Sequence, residues 1–175
     1  MTDESNYKFT RNSGPSSPDR DTGPRVDLTL GTTNGFYYLA SPRKKTTVKP
    51  TSDYIISEIV SPSLATPDYV TEICGYLGVY MWGSGIDQLK VSYVDEFGQK
   101  TSLLTVNGNQ GPLWLKPMFT FERSSSSVKI VIETSINRKS KFADIAIDDV
   151  VVQFCSTEEA DYIKNSESFL QYHAE

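Results

Sequence analysis

Along most of this chain, apolar and polar residues alternate with a period of two, the repeat of a half-buried β-strand. The clearest case is Cys74-Gly75-Tyr76-Leu77-Gly78-Val79-Tyr80-Met81-Trp82, where Leu77, Val79 and Met81 share one face and Tyr76, Tyr80 and Trp82 the other. Phe36–Ala40, Tyr54–Val60 and residues 89–94, 103–106, 113–121 and 128–133 also have strand composition, and Asp144–Cys155 is the most apolar run. Turn chemistry punctuates them: Asn34-Gly35, Ser61-Pro62, Gly83-Ser84-Gly85, Glu96-Phe97-Gly98-Gln99 and the stretch from Asn107 to Pro112. The Gly83-Ser84-Gly85 turn predicts a hairpin between 72–82 and 89–94. Roughly nine short strands, with turn signals every ~8–12 residues, predict an all-β protein folded as a two-sheet antiparallel β-sandwich of jelly-roll type. Residues 2–26 are polar and turn-rich and read as irregular loop. From Ser156 onward the chain is acidic and polar, a short helix or linker outside the core.

Composition narrows the classes without naming a function. A chain of 175 residues, 38% hydrophobic, buries one sizeable core, and its ten Tyr and eight Phe suit strands. A net charge of −5 gives no broad basic surface for phosphate contacts, so nucleic acid is set aside. There is no run of 18 or more apolar residues, and Met1-Thr2-Asp3-Glu4-Ser5 has no apolar export core, so the chain as given carries no signal peptide. The two cysteines fit either a bridge or two buried thiols.

Few residues offer chemistry. His173, the only histidine, lies in the polar tail, and Cys74 has no placed general base. Catalysis is therefore not expected. The aromatic face of Tyr76, Tyr80 and Trp82 is either a binding platform or ordinary sheet packing. The basic loops Arg43-Lys44-Lys45 and Asn137-Arg138-Lys139-Ser140-Lys141 would suit sulfated glycans or an acidic partner if they are not simply solvated. Asp148 and Asp149 are two adjacent carboxylates in an apolar strand, which packing does not explain. Alternation sends such neighbours to opposite faces unless a bulge intervenes.

Several blocks together resemble the MAM domain, the module shared by meprins, neuropilins and receptor-type tyrosine phosphatases. They are Phe9-Thr10-Arg11-Asn12-Ser13-Gly14, then Asp27, Gly35-Phe36-Tyr37 and Cys74, followed by Gly83-Ser84-Gly85, Asn109-Gln110-Gly111 with Trp114, and Asp144-Ile145-Ala146-Ile147-Asp148-Asp149-Val150 before Cys155. The resemblance implies a jelly-roll sandwich over residues 5–155, a four-residue extension before it (1–4), and a polar acidic tail at 156–175. It also implies a disulfide between Cys74 and Cys155. The family's first strand, with its own cysteine pair, would fall ahead of Tyr7, so the domain is expected to be truncated at its N-terminus.

What the resemblance implies for function is a non-catalytic extracellular interaction or adhesion module of a larger secreted or membrane-anchored protein. Its partners would be other extracellular proteins or a second copy of the domain, with membrane attachment left to other parts of the host chain. Alternatives are the accessory domain of an ectoenzyme such as a meprin-like metalloprotease, and a lectin-like, glycan-binding jelly roll. Some family members hold Ca²⁺ or Na⁺, and Asp27, Asp148 and Asp149 match the acidic positions concerned; hard cations take several oxygens at once.

Overall fold

A computed structural model describes residues 9–16, 22–42, 53–140 and 142–166. Eleven strands and one helix follow in chain order. They are β1 (Thr10–Ser13), β2 (Phe36–Ala40), β3 (Tyr54–Val60), β4 (Leu64–Ala65), β5 (Glu72–Trp82), β6 (Ile86–Asp95), β7 (Lys100–Asn107), β8 (Trp114–Leu115), β9 (Met118–Glu122), β10 (Ser127–Asn137), β11 (Asp144–Cys155) and α1 (Thr157–Ser166). Every pairing is antiparallel. One sheet runs β1-β2-β11-β5-β8 with β9 also on β5, and the other runs β3-β10-β6-β7 with β4 on β10. The expected two-sheet antiparallel sandwich is what forms.

Alternation builds the core. Leu77, Val79, Met81, Ile145 and Ile147 project inward from the first sheet and meet Ile55, Leu89, Val91, Ile130, Ile132 and Ile136 from the second. Each is almost fully buried, which is worth about 1.5–3 kcal/mol per side chain before entropy is counted. Substituting a polar residue at any of these positions would flip the pattern that fixes the register.

Three local expectations are corrected. β5 and β6 do not form a hairpin: β5 pairs with β11, β8 and β9, whereas β6 pairs with β10 and β7. The Gly83-Ser84-Gly85 turn carries the chain from one sheet to the other. Gly83 permits this, with φ at 126°, and a Cβ there would lie 2.2 Å from the Phe142 carbonyl. The single strand read over 113–121 is two short ones, interrupted at Lys116-Pro117, because proline cannot donate to the ladder. Within the stretch read as loop, Thr10–Ser13 pairs with β2 as an edge strand; its polar side chains hid it from the alternation pattern.

The stretch after Ser156 is helical and packed. Ser156 and Glu159 form a reciprocal cap: the Ser156 N–H donates to Glu159 Oε2 at 2.8 Å, and the Glu159 N–H donates to Ser156 Oγ at 3.2 Å. The Ser156 N–H, together with the Ser156 hydroxyl donating to the same Oε2 at 3.1 Å, holds the Glu159 carboxyl below the usual range. Ala160 and Ile163 then bury against Cys74, whose bridge to Cys155 spans a Cα–Cα distance of 5.8 Å and a sequence separation of 81. Lys164 reaches Glu72 at 3.4 Å, so α1 is tied to the first sheet by a packed face and an ion pair.

A loop of that length closed by a disulfide stabilises the fold by ~4 kcal/mol in the chain-entropy picture. Replacing Cys74 and Cys155 by Ala should cost a comparable amount in urea denaturation; a loss under about 1 kcal/mol would mean that the β5–β11 ladder alone holds these ends. The Glu159 contribution has a depressed folded pKa, so it is present above the unfolded value near 4.5 and is lost as pH falls through the lower folded value. Glu159→Gln should flatten that part of the acid side of the stability curve, measured as unfolding free energy against pH.

Candidate functional site

The outer face of the first sheet carries the polar residues singled out above, and the loop 22–35 lies across it. Asp27, only 2% exposed, closes that loop on itself: Oδ2 accepts the Leu30 N–H at 2.7 Å, and Oδ1 accepts the Thr32 N–H at 3.0 Å. Asp148 pins the loop to β11. Its Oδ2 accepts the N–H groups of Leu28 at 2.8 Å and Thr29 at 3.1 Å, and its Oδ1 accepts the Asp149 N–H at 2.8 Å. Leu28 settles over Gly78, where a Cβ would sit 2.2 Å from Leu28 Cδ2.

A bulge explains the adjacent carboxylates. The β11–β5 register shifts between Asp148 and Val151, and Asp149 adopts a left-handed φ of 48°. Asp149 thereby reaches Lys116 Nζ at 2.7 Å, and the same ammonium stands 4.5 Å from the Tyr76 ring centroid. The hydrogen bond that the Lys116 ammonium donates to Asp149 raises the Lys116 pKa above its ordinary value. Asp27 and Asp148 thus spend their oxygens on backbone N–H groups, and Asp149 on an ammonium. Among the described residues, no three His, Cys, Asp or Glu side chains cluster in metal-holding geometry.

The aromatic face divides. Tyr80 is 5% exposed, covered by Trp114 with its ring edge-on at 5.5 Å, while Tyr37 approaches Trp114 at 6.1 Å. Trp114 Nε1 donates to the Val26 carbonyl at 3.1 Å, so this group is structural packing beneath the loop. Tyr76 and Trp82 remain half-buried, and Trp82 borders a shallow depression of about 290 Å³ with Arg25 and Trp114. Of the basic loops, Lys139 pairs with Asp53 at 3.0 Å. Arg43, Lys44, Lys45, Lys141 and His173 lie outside the described residues.

An exposed apolar groove was not foreseen. β2 pairs with β11 only through Ile145, Ala146 and Ile147, and beyond that no described strand runs along this edge of β11. Among the described residues, none covers the inner faces of the two sheets at that flank. Phe36, Tyr38 and Phe154 are inward by register yet 50%, 49% and 49% exposed. Phe36 and Tyr38, together with Ile59, Ile130, Ile132, Ile147 and Val152, surround a groove of about 320 Å³. Arg11 stands at its rim with its guanidinium 3.5 Å from the Phe36 ring centroid. The sequence signal was present in the apolar positions of β2 and β11, but alternation does not say which inward residues lack a cover.

Asp148→Ala should release the loop. It removes charge-assisted bonds worth about 1.5–3 kcal/mol, so amide exchange at Leu28 and Thr29 should speed up while the core strands stay protected. Unchanged exchange at both amides would mean that the loop is held by Leu28 and Asp27 alone.

Comparison with known proteins matches this architecture. The model of the MAM domain, meprin/A5/mu, matches residues 2–156. Neuropilin-1a of Danio rerio is 30% identical over 155 residues, which cover 87% of this chain and 16% of the relative, so the chain spans less than a fifth of that protein. Among solved structures, TmCBM61 in complex with β-1,4-galactotriose aligns with a TM-score of 0.49 at 11% identity, covering 69% of this chain and 71% of that one. A family 16 carbohydrate binding module aligns with a TM-score of 0.45 at 13% identity, covering 71% and 79%. With a family match across nearly its whole length, a disulfide-closed sandwich and a neuropilin among its relatives, the chain belongs to the MAM domain family.

Proposed function

We propose that this chain is a non-catalytic extracellular module of a longer secreted or membrane-anchored protein, and that it acts by binding other proteins. The observation that carries the reading is family membership joined to the Cys74–Cys155 bridge, since structural disulfides persist in oxidising compartments. The bridge also removes Cys74 as a nucleophile, because a disulfide sulfur is not a thiolate. Among the described residues no helix is long and apolar enough to cross a membrane, so attachment belongs, in this reading, to other parts of the host protein.

Binding would rest on surface complementarity around a few anchors, with the rest of the contact excluding water. The rigid sandwich and the clasped loop 22–35 offer such a surface with little ordering left to do, which lowers the entropic cost of association. The ectoenzyme and lectin alternatives differ from this in what the partner is.

The reading is tested with oxidised, purified chain applied to intact cells and to a panel of purified ectodomains. Saturable binding that survives enzymatic removal of surface glycans and is lost after disulfide reduction is the expected result. Binding abolished by glycan removal would overturn it in favour of the lectin alternative. Sedimentation of the chain alone, read for a concentration-dependent dimer, distinguishes a second copy from a different partner.

A further inference from the structure

We propose that the loop tips at the disulfide end of the sandwich form a docking platform, with Tyr69 and Phe97 as anchors, for a separate protein whose surface offers apolar pockets rimmed by lysine or arginine. The platform deepens the protein-binding role above by naming a surface and a partner chemistry, and it rests on that role for its biological setting. Its physical basis lies in the loops themselves.

Three connections meet at this end: residues 66–71 ahead of β5, 95–99 between β6 and β7, and 122–126 between β9 and β10. Tyr69 and Phe97 stand on two of them. Each is 83% exposed, further into solvent than any other large apolar side chain among the described residues. Their surroundings are fixed. Asp68 pairs with Arg123, whose Nε also donates to the Thr66 carbonyl at 2.7 Å, and Val70 is buried in the core, which leaves Tyr69 between them turned outward. Asp95 Oδ1 accepts the N–H groups of Phe97 at 2.9 Å and Gln99 at 2.8 Å, and Gly98 completes the turn at a φ of 84°. The Ser126 hydroxyl and N–H donate to the Glu96 carboxylate at 2.6 and 3.2 Å, and the Thr66 N–H donates to the Ser126 carbonyl at 2.8 Å. The connection 122–126 therefore clasps the other two. Two rings held in water on clasped loops add nothing to the core, whereas burying them on association is favourable and leaves little ordering to be done.

Charge selects the partner. These three connections carry Asp68, Asp95, Glu96 and Glu122 against the guanidinium of Arg123. The hydrogen bonds from Ser126 hold the Glu96 carboxyl below its usual range, so that charge is present at neutral pH. A rim of lysine or arginine on the partner complements this field and speeds encounter. The chain's own C-terminal stretch does not supply that complement, because from Ser156 onward it carries Glu158, Glu159, Asp161, Glu167 and Glu175 against Lys164. An anionic bilayer has the same sign as the platform and is repelled by it.

The probe is a short synthetic peptide interleaving Arg with Leu and Trp, added to the intact oxidised chain and read by amide NMR shifts at low and high salt. Saturable shifts at 66–71, 95–99 and 122–126 that weaken as salt rises are expected. Tyr69→Ala combined with Phe97→Ala should weaken binding about tenfold or more without lowering Tm, and Leu30→Ala, at an exposed apolar position on another loop, should leave it unchanged. Shifts spread over the whole surface, undiminished affinity in the double variant, or equal binding of a peptide with Glu in place of Arg overturns the proposal. Vesicles of phosphatidylcholine and phosphatidylserine test the other class of occupant: co-sedimentation that the double variant loses assigns the aromatic tips to a membrane and also overturns it. So does a longer natural form of the chain in which these amides no longer respond, because a neighbouring segment then covers the loops. Cell-surface binding that persists in the double variant would keep the wider interaction role and remove this platform from it, and peptide binding at the loops without any cell-surface binding would do the reverse.

Discussion

β11 runs antiparallel to β5 from Asp144 opposite Trp82 to Cys155 opposite Glu72, and the rest of the molecule is arranged around that ladder. Its inward residues, Ile145 and Ile147 with Leu77, Val79 and Met81, form one wall of the core. Its far end is locked by the Cys74–Cys155 bridge, on which α1 packs. On the outer side the bulge at Asp148 and Asp149 supplies the clasp for the loop 22–35 and the partner for Lys116. A ladder of this length in an antiparallel sheet sets register over many residues at once, so the features attached to it inherit fixed positions.

One edge of the same strand is satisfied and the other only partly. Along β5 the ladder runs from Asp144 to Cys155, broken only by the bulge between Asp148 and Val151, and β8 and β9 share the far side of β5 end to end. On the opposite side, β2 covers β11 for three residues and then diverges. Among the described residues, the interior of the sandwich is left open at the β2–β3 flank. Proteins ordinarily cover or blunt such an edge, because exposed N–H and C=O groups recruit strands. Here, among the described residues, Phe36, Tyr38 and Phe154 remain half exposed beneath that edge.

The carboxylates show how position decides chemistry. Asp27, Asp148 and Asp149 are the residue types that hold hard cations, and the bulge does bring Asp148 and Asp149 to the same outer side. Yet each is engaged by donors of the protein itself, Asp27 and Asp148 by backbone N–H groups and Asp149 by Lys116. Asp27 and Asp148 thereby hold a loop on a sheet, and Asp149 holds Lys116. Trp114 does the same for the aromatic face, covering Tyr80 and donating to the loop backbone, so an apparent platform in one strand becomes the floor beneath another segment.

Period-two alternation determined the strand content, the inward faces of β5 and β11 and the sandwich class, because which side chains face the core is a local property of extended backbone. The family blocks determined the pairing of Cys74 with Cys155. Pairing partners were not local. Whether Gly83-Ser84-Gly85 closes a hairpin or crosses between sheets depends on Phe142, distant in sequence, occupying the space beside Gly83. The polar edge strand β1 was invisible because it is held to β2 by its backbone ladder and by polar side chains, Thr10 on the Leu39 carbonyl and Asn12 on the Tyr37 hydroxyl, so no apolar alternation marks it. The open flank with Arg11 at its rim likewise emerged only in three dimensions: sequence shows that Phe36, Tyr38 and Phe154 are apolar, but whether anything covers them is a property of neighbouring strands, which only the tertiary structure decides.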